Sequence, residues 1–250
     1  MSFVVYCEKE HINKKFAKDV QPKEQNNIFY CYNKKCDCKF VVSALNSSMV
    51  RTHFVKLQSS NHIEGCWNNI NLSESGDIND YDTSDFLPLA LLKNIQKPKD
   101  KNPSVEKKNS SGWGTPSTRT EKETQYIHTI RQLYSVCIMN DDDEEINGTI
   151  IKNIFAGRKT SYLYTKYISG IKLVECSYHS YDIEANKIKF RFPYKGNDFI
   201  IDIHFDSTKL FREYNEKLYG YKQPILIYAE WNNNHAEIIS GKQIIPLKKA

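Results

Sequence analysis

Residues 31–66, CYNKKCDCKFVVSALNSSMVRTHFVKLQSSNHIEGC, constrain the fold of this chain more than any other stretch. They hold Cys31, Cys36, Cys38, His53, His62 and Cys66, which is four of the seven cysteines and two of the seven histidines of the 250 residues. Thiolate and imidazole ligands arriving as an N-terminal knuckle and a later His/Cys pair are what a tetrahedral zinc site requires. A lone cysteine is usually a small buried hydrophobe, but six candidate ligands in one short segment are hard to obtain that way. The first two ligands come from Cys31, Cys36 and Cys38, with Cys31 and Cys36 in C-x4-C spacing. The second pair is most simply His62 and Cys66, at i and i+4. Cys38 and His53 are the reserves, and Cys7 and His11 form a further C-x3-H pair of a kind common by chance.

Composition narrows the class. The net charge of +5 is mild but uneven. Residues 1–66 carry 10 Lys/Arg against 6 Asp/Glu, 67–90 none against 5, 91–120 7 against 2, and 121–250 18 against 17. Basicity therefore sits in the zinc-like region and near residue 100. The opening MSFVVYCEKEHINKKF lacks the apolar core of a signal peptide, and no run reaches the length of a membrane span. An odd cysteine count without an export signal points to reduced thiols and a cytoplasmic location, with no membrane partner.

The pattern predicts an α+β chain in three parts: a small zinc-ribbon-like module over 1–70, an acidic loop, short helix and basic linker over 71–119, and a β-rich domain over 120–250 that opens on a helix. In the module, strands are expected over Asn27 to Cys31, Phe40 to Leu45 and Val50 to Leu57. Asp85 caps a short helix with Pro88 in its first turn. Residues 97–119 combine Pro, Gly, Ser and Lys with little apolar surface to offset ordering entropy, and read as a flexible linker.

Thr120-Glu-Lys-Glu123 reads as a capping box ahead of Tyr126, Ile127, Ile130, Leu133, Tyr134 and Cys137 at helical spacing, and the acidic run Asp141 to Glu145 ends that helix. Strands follow over Gly170 to Cys176, Lys187 to Phe192 and Phe199 to Phe205. A helix over Thr208 to Leu218 is capped by Ser207 or Asp206. Two more strands run over Pro224 to Trp231 and Ala236 to Ile245, the last with a bend at Ser240 to Gln243. Three strands, a helix and two strands is the element order of an OB-fold barrel.

The cysteine pair, a strand, His53-Phe54, and then His62 and Gly65-Cys66 resemble the N-terminal zinc-binding region of the CoiA-like proteins of bacteria and their mobile elements. The resemblance covers about 40 residues and implies a DNA-related role, with a nuclease-like domain after the finger. Such a nuclease needs an Asp followed by Glu-x-Lys on adjacent strands to hold magnesium. The nearest approach here is Asp202 or Asp206 with Glu230-Trp231-Asn232, which lacks the lysine.

In the strand Lys187 to Phe192, alternation sends Ile188, Phe190 and Phe192 to one face and Lys187, Lys189 and Arg191 to the other. With Tyr194 and Lys195 beside them, these cations suit a phosphate backbone, and Tyr178, Tyr181, Tyr228 and Trp231 are candidate stacking platforms for a single strand. The competing expectation is a solvated face on which Asp202 and His204 absorb part of the charge. The chain has no Walker lysine loop, no G-x-S-x-G elbow and no dinucleotide fingerprint. The reading is a zinc-containing nucleic-acid-binding protein, favouring single strands, as a mobile-element or phage-defence accessory factor. The alternatives are a metal-dependent nuclease using Asp202, Asp206 and Glu230, and a protein-interaction adaptor with a structural zinc.

Overall fold

The computed structural model describes residues 4–47, 50, 52–64, 66–69, 81–97, 125–193 and 199–247. The linker expected over 97–119 lies outside the described residues except for Lys97, as do the Thr120 to Glu123 capping box, Tyr194 and Lys195.

The N-terminal module is a five-stranded sheet. Its strands are β1 (Val4–Tyr6), β2 (Lys14–Phe16), β3 (Phe29–Cys31), β4 (Lys39–Ser43) and β5 (His53–Lys56), in the order β2-β1-β3-β4-β5. The pairings are antiparallel throughout. Strands β3 to β5 fall within the expected segments. The pair β1 and β2 has no counterpart in the sequence reading, because three residues are too few to show an alternating pattern. The module's core is small: Val5, Phe29, Phe40 and Phe54 pack with Cys31, Cys36, Cys38 and Cys66. A core this size depends on a staple.

Beyond the module, β6 (Tyr81–Asp82) pairs in parallel with β7 (Gln125–Tyr126). Helix α1 (Pro88–Gln96) starts on Pro88, whose missing N–H costs nothing at that position, and buries Leu91, Leu92 and Ile95. Helix α2 (Ile130–Met139) begins later than the capping box at Thr120 implied, with Thr129 as its cap. The Thr129 hydroxyl accepts from the Gln132 N–H at 3.3 Å, and Gln132 Oε1 accepts from the Thr129 N–H at 2.9 Å. That reciprocal pair outcompetes the helical spacing of Tyr126, which lies in β7. A hairpin, β8 (Glu145–Ile146) with β9 (Thr149–Ile150), leads into the single turn α3 (Ile151–Ile154) and the short strand β10 (Phe155–Ala156).

The C-terminal strands close into a barrel. They are β11 (Gly170–Asp182), β12 (Lys187–Phe192), β13 (Phe199–Phe205), β14 (Ile225–Asn232) and β15 (His235–Ile238). Helix α4 (Thr208–Leu218) joins β13 to β14. The long strand β11 turns the corner of the barrel. Its first half pairs with β14, Gly170 opposite Trp231 through Cys176 opposite Ile225, and its second half pairs with β12. A register shift between Tyr178 and Ser180 marks the bulge at that corner. Strand β12 pairs antiparallel with β13, β13 runs parallel to β15, and β15 returns antiparallel to β14, which completes the ring β11-β12-β13-β15-β14. The β14–β15 turn is Asn233-Asn234, both at positive φ (46° and 73°), the backbone a two-residue hairpin requires. Strand β16 (Ile244–Pro246) and β10 extend the sheet at β14 and β11.

Two cores flank β14. Ile225, Ile227, Ala229 and Trp231 point into the barrel with Ile188, Phe190, Phe192, Ile201, Ile203 and Phe205. Leu226 and Tyr228 point outward, where α1 and α2 cover them with Leu91, Ile95, Leu133 and Tyr134. Helix α4 closes the barrel with Phe211, Tyr214 and Leu218 and is capped by Ser207, whose hydroxyl accepts from the Leu210 N–H at 3.2 Å.

The module packs against this C-terminal half. Val4, Tyr6 and Tyr32 share a core with Met139, and the Tyr32 hydroxyl donates to Asp141 at 2.6 Å.

Candidate metal centre

The β3–β4 hairpin builds the first half of the site. Cys31 ends β3, and its N–H donates to the Cys38 carbonyl at 2.9 Å, closing the connecting turn. Within the turn, the Cys36 N–H donates to the Asn33 carbonyl at 2.8 Å, which folds Cys36 back toward Cys31. The loop after β5 supplies the second half. The Lys39 N–H donates to Ser60 Oγ at 2.8 Å and ties that loop to β4. Phe40 meets the His62 ring edge to face at 5.6 Å, and the Cys66 N–H donates to the Ile63 carbonyl at 3.1 Å in a turn.

Cys31, Cys36, His62 and Cys66 each offer one ligand atom, all within 4.8 Å of one another, and together they can hold a metal ion. His62 Nδ1 lies 3.5 Å from Cys31 Sγ and 3.5 Å from Cys36 Sγ, and the Cys31 and Cys66 sulfurs are 3.7 Å apart. The three cysteines are buried and His62 is half-buried. These are the four residues that the spacing singled out. The two reserves stand aside. Cys38 is buried in the module core with its thiol toward the Lys39 carbonyl, and His53 sits in β5 opposite Ser43. His11 does not join Cys7 as a ligand pair: its Nε2 lies 3.3 Å from the Cys36 carbonyl and its ring packs edge to face on Tyr6.

Around the sulfurs stand N–H donors that sequence reasoning missed. The Asn33 backbone N–H donates to Cys31 Sγ at 3.5 Å, Asn33 Nδ2 to Cys66 Sγ at 3.4 Å, and Asn68 Nδ2 to Cys31 Sγ at 3.5 Å. Between them the Cys31 and Cys66 sulfurs accept three N–H bonds, which favour the thiolate form that ligates a metal. The hydrogen bond from Cys31, together with the His62 imidazole, pulls the Cys66 thiol down despite its burial. Cys31 is pushed up by the same shared proton and by burial. Asn33 falls inside the C-x4-C turn, a common place for asparagine, so only its contacts mark it.

A buried ion pair connects the centre to the barrel. Arg158 follows β10, and its Nε donates to Glu175 Oε1 at 2.7 Å with a second guanidinium nitrogen 2.6 Å from the same oxygen. Arg158 Nη1 also donates to the Cys66 carbonyl at 3.1 Å.

On the barrel, Lys187, Lys189 and Arg191 point outward from β12 while Ile188, Phe190 and Phe192 fill the interior. Lys189 stands opposite Asp202 and Lys187 opposite His204, yet Asp202 lies with His235 at 3.7 Å and His204 with Glu237 at 4.0 Å. None of the three cations belongs to an ion pair among the described residues. Two of the expected platforms are corrected. Trp231 is 2% exposed inside the barrel, its Nε1 donating to the Lys172 carbonyl at 3.2 Å, and it has no free face for a base. Tyr228 lies under the helical layer with its hydroxyl donating to the Pro88 carbonyl at 2.8 Å. The two lie on opposite faces of β14, Trp231 inside the barrel and Tyr228 beneath the helices, so both faces of that strand are core. Tyr178 and Tyr181 instead pack around Tyr219, each 6.1 Å from its ring, at the end of α4.

Asp202, Asp206 and Glu230 form no cluster with the spacing of a metal site among the described residues. No helix among them is long and apolar enough to cross a membrane. No protein-family model matches the chain, and no curated protein and no solved structure matches it either.

Proposed function

We propose that this protein binds single-stranded nucleic acid on an OB-like barrel and that zinc holds its N-terminal module together. The observation that carries the reading is the row Lys187, Lys189 and Arg191 on the outer face of β12, engaged in no ion pair among the described residues. The ring β11-β12-β13-β15-β14, with β13 parallel to β15 and a helix between β13 and β14, supports the OB-like assignment. That barrel class binds single strands by a basic groove beside aromatic rings.

Zinc as the ion rests on ligand type and spacing. Bonds of about 2.3 Å to sulfur and about 2.0–2.1 Å to nitrogen give a tetrahedron with S···S edges of about 3.8 Å and S···N edges of about 3.5–3.6 Å. The 3.7 Å and 3.5 Å separations match those edges. Four protein ligands leave no open position, so this zinc is structural rather than catalytic. The nuclease alternative lacks a carboxylate cluster among the described residues to support it.

The test is fluorescence anisotropy of a labelled single-stranded oligonucleotide with the full chain across a salt series. Changing Lys187, Lys189 and Arg191 together to Ala should weaken binding to all sequences alike and flatten the salt slope by about 2, since each phosphate contact on a single strand contributes about 0.7. Failure of the unaltered chain to bind single-stranded DNA or RNA at low salt refutes the reading and leaves the adaptor role in its place.

A further inference from the structure

Where the metal knuckle meets the barrel there is a cleft of about 600 Å³, lined among others by Lys35, Trp67, Lys159, Tyr162 and Pro193. We propose that it receives one unpaired nucleobase of the strand whose phosphates follow β12; this rests on the nucleic-acid reading above.

Position is the first argument. Pro193 follows directly on β12 and lies two residues beyond Arg191, so the cationic row ends at the mouth of the cleft. Tyr164, from the far side, packs edge to face on Phe192 at 6.1 Å and anchors the Tyr162 segment at the same end of β12.

Chemistry is the second argument. Tyr162 is 63% exposed, and its hydroxyl donates to Asp142 at 3.2 Å, which fixes the ring while leaving it open to solvent. Trp67 is half-buried opposite, held edge to face on Tyr32 at 5.6 Å. The charges deeper in the cleft are already matched: Lys159 lies 3.0 Å from Asp142, and Arg158 is paired with Glu175. With Lys35 and Glu64, of opposite sign, also lining it, the slot carries no net excess of free positive charge and suits a flat neutral ring, because every base has a π-face for an aromatic side chain. At this volume it lies in the usual range of small-ligand sites. The adjoining cleft shares Trp67, Lys159 and Tyr162 with this one, and there Asp141, Asp142, Asp143 and Glu144 outnumber the lysines Lys34, Lys35 and Lys159, which makes it the less favourable side for a polyanion.

The expected outcomes separate this inference from the reading beneath it. With the full chain and a labelled single-stranded oligonucleotide, Tyr162→Ala should weaken binding about 5- to 150-fold, the alanine cost of one base stack, with no change in salt slope. Tyr162→Phe, which keeps the ring and loses only the hydroxyl, should retain most of the binding that Tyr162→Ala loses. A bromouracil-substituted oligonucleotide should photocrosslink to the tryptic peptide Thr160 to Lys166. If Tyr162→Ala binds as the parent while the β12 triple variant does not, the base slot is wrong and the basic face stands. Crosslinks only at Tyr178, Tyr181 or Tyr219 overturn the slot in the same way. If the parent chain binds no single strand at all, the nucleic-acid reading itself has failed.

Discussion

Replacing Arg158 by Ala should destabilise the protein by about 3–5 kcal/mol, the cost of breaking a buried ion pair by removing one partner. Glu175 has no solvent-exposed side-chain surface and accepts two N–H bonds from Arg158, from the backbone at 3.3 Å and from Nε at 2.7 Å, while a terminal guanidinium nitrogen lies 2.6 Å away in the ion pair. The substitution leaves that carboxylate buried and also removes the 3.1 Å bond to the Cys66 carbonyl. Glu175→Gln should cost less, about 1–3 kcal/mol, because a side-chain amide still accepts from Arg158 and the guanidinium keeps 9% of its surface in water. Changing both residues to Met should recover most of the loss, since apolar groups of similar volume are often neutral in place of a buried pair. Urea unfolding followed by circular dichroism gives all three values, and a cycle closed with the single Arg158→Met and Glu175→Met variants should show a coupling of at least about 2 kcal/mol. An Arg158→Ala loss below about 1 kcal/mol, or additive single effects in that cycle, would refute the claim that this buried pair stabilises the fold.

Three further outcomes follow from particular contacts. Asn33→Ala removes the amide donor to Cys66 and should lower metal affinity about 10–100-fold in a competition titration with a chromophoric chelator. Thr129→Ala should cost about 1 kcal/mol in thermal unfolding by releasing the cap of α2, whereas a Thr120 substitution should leave that helix unaffected. Asp141 illustrates the pH dependence. Burial alone would raise its carboxyl, but the Tyr32 hydroxyl, Lys14 and Lys159 outweigh burial and hold it below 3.8. A depressed carboxylate stabilises the fold above its unfolded value, and the contribution is lost as pH falls through the folded value, here below about 4. Tyr32→Phe should therefore raise the Asp141 value in an NMR titration, and an unmoved titration would show that the hydroxyl has no such effect.

The barrel was legible because its signals are local. Strand β12 alternates cleanly, α4 carries its own serine cap, and the order of strands and helix survives without knowledge of the pairings. The four ligands were legible because cysteine and histidine are scarce and their spacing is itself the signal. What escaped depends on contacts distant in sequence. The two buried faces of β14 follow from barrel closure on one side and, on the other, from helices that precede it by about ninety residues or more, so Trp231 and Tyr228 looked like platforms while serving as core. Strands β1 and β2 are too short to announce themselves, and the true start of α2 lay in a Thr-x-x-Gln pattern that an earlier Thr-x-x-Glu overshadowed. Asn33, Asn68 and Arg158 serve the metal centre only through geometry.

The proposed zinc at Cys31, Cys36, His62 and Cys66 would staple the module that walls the cleft. Elemental analysis of the full chain, purified without chelator, tests it most directly. One zinc per chain is the predicted result, with loss of the metal and of the module's fold in Cys66→Ser, because structural zinc contributes folding energy outright. Less than about half an equivalent of zinc in the unaltered protein would contradict it.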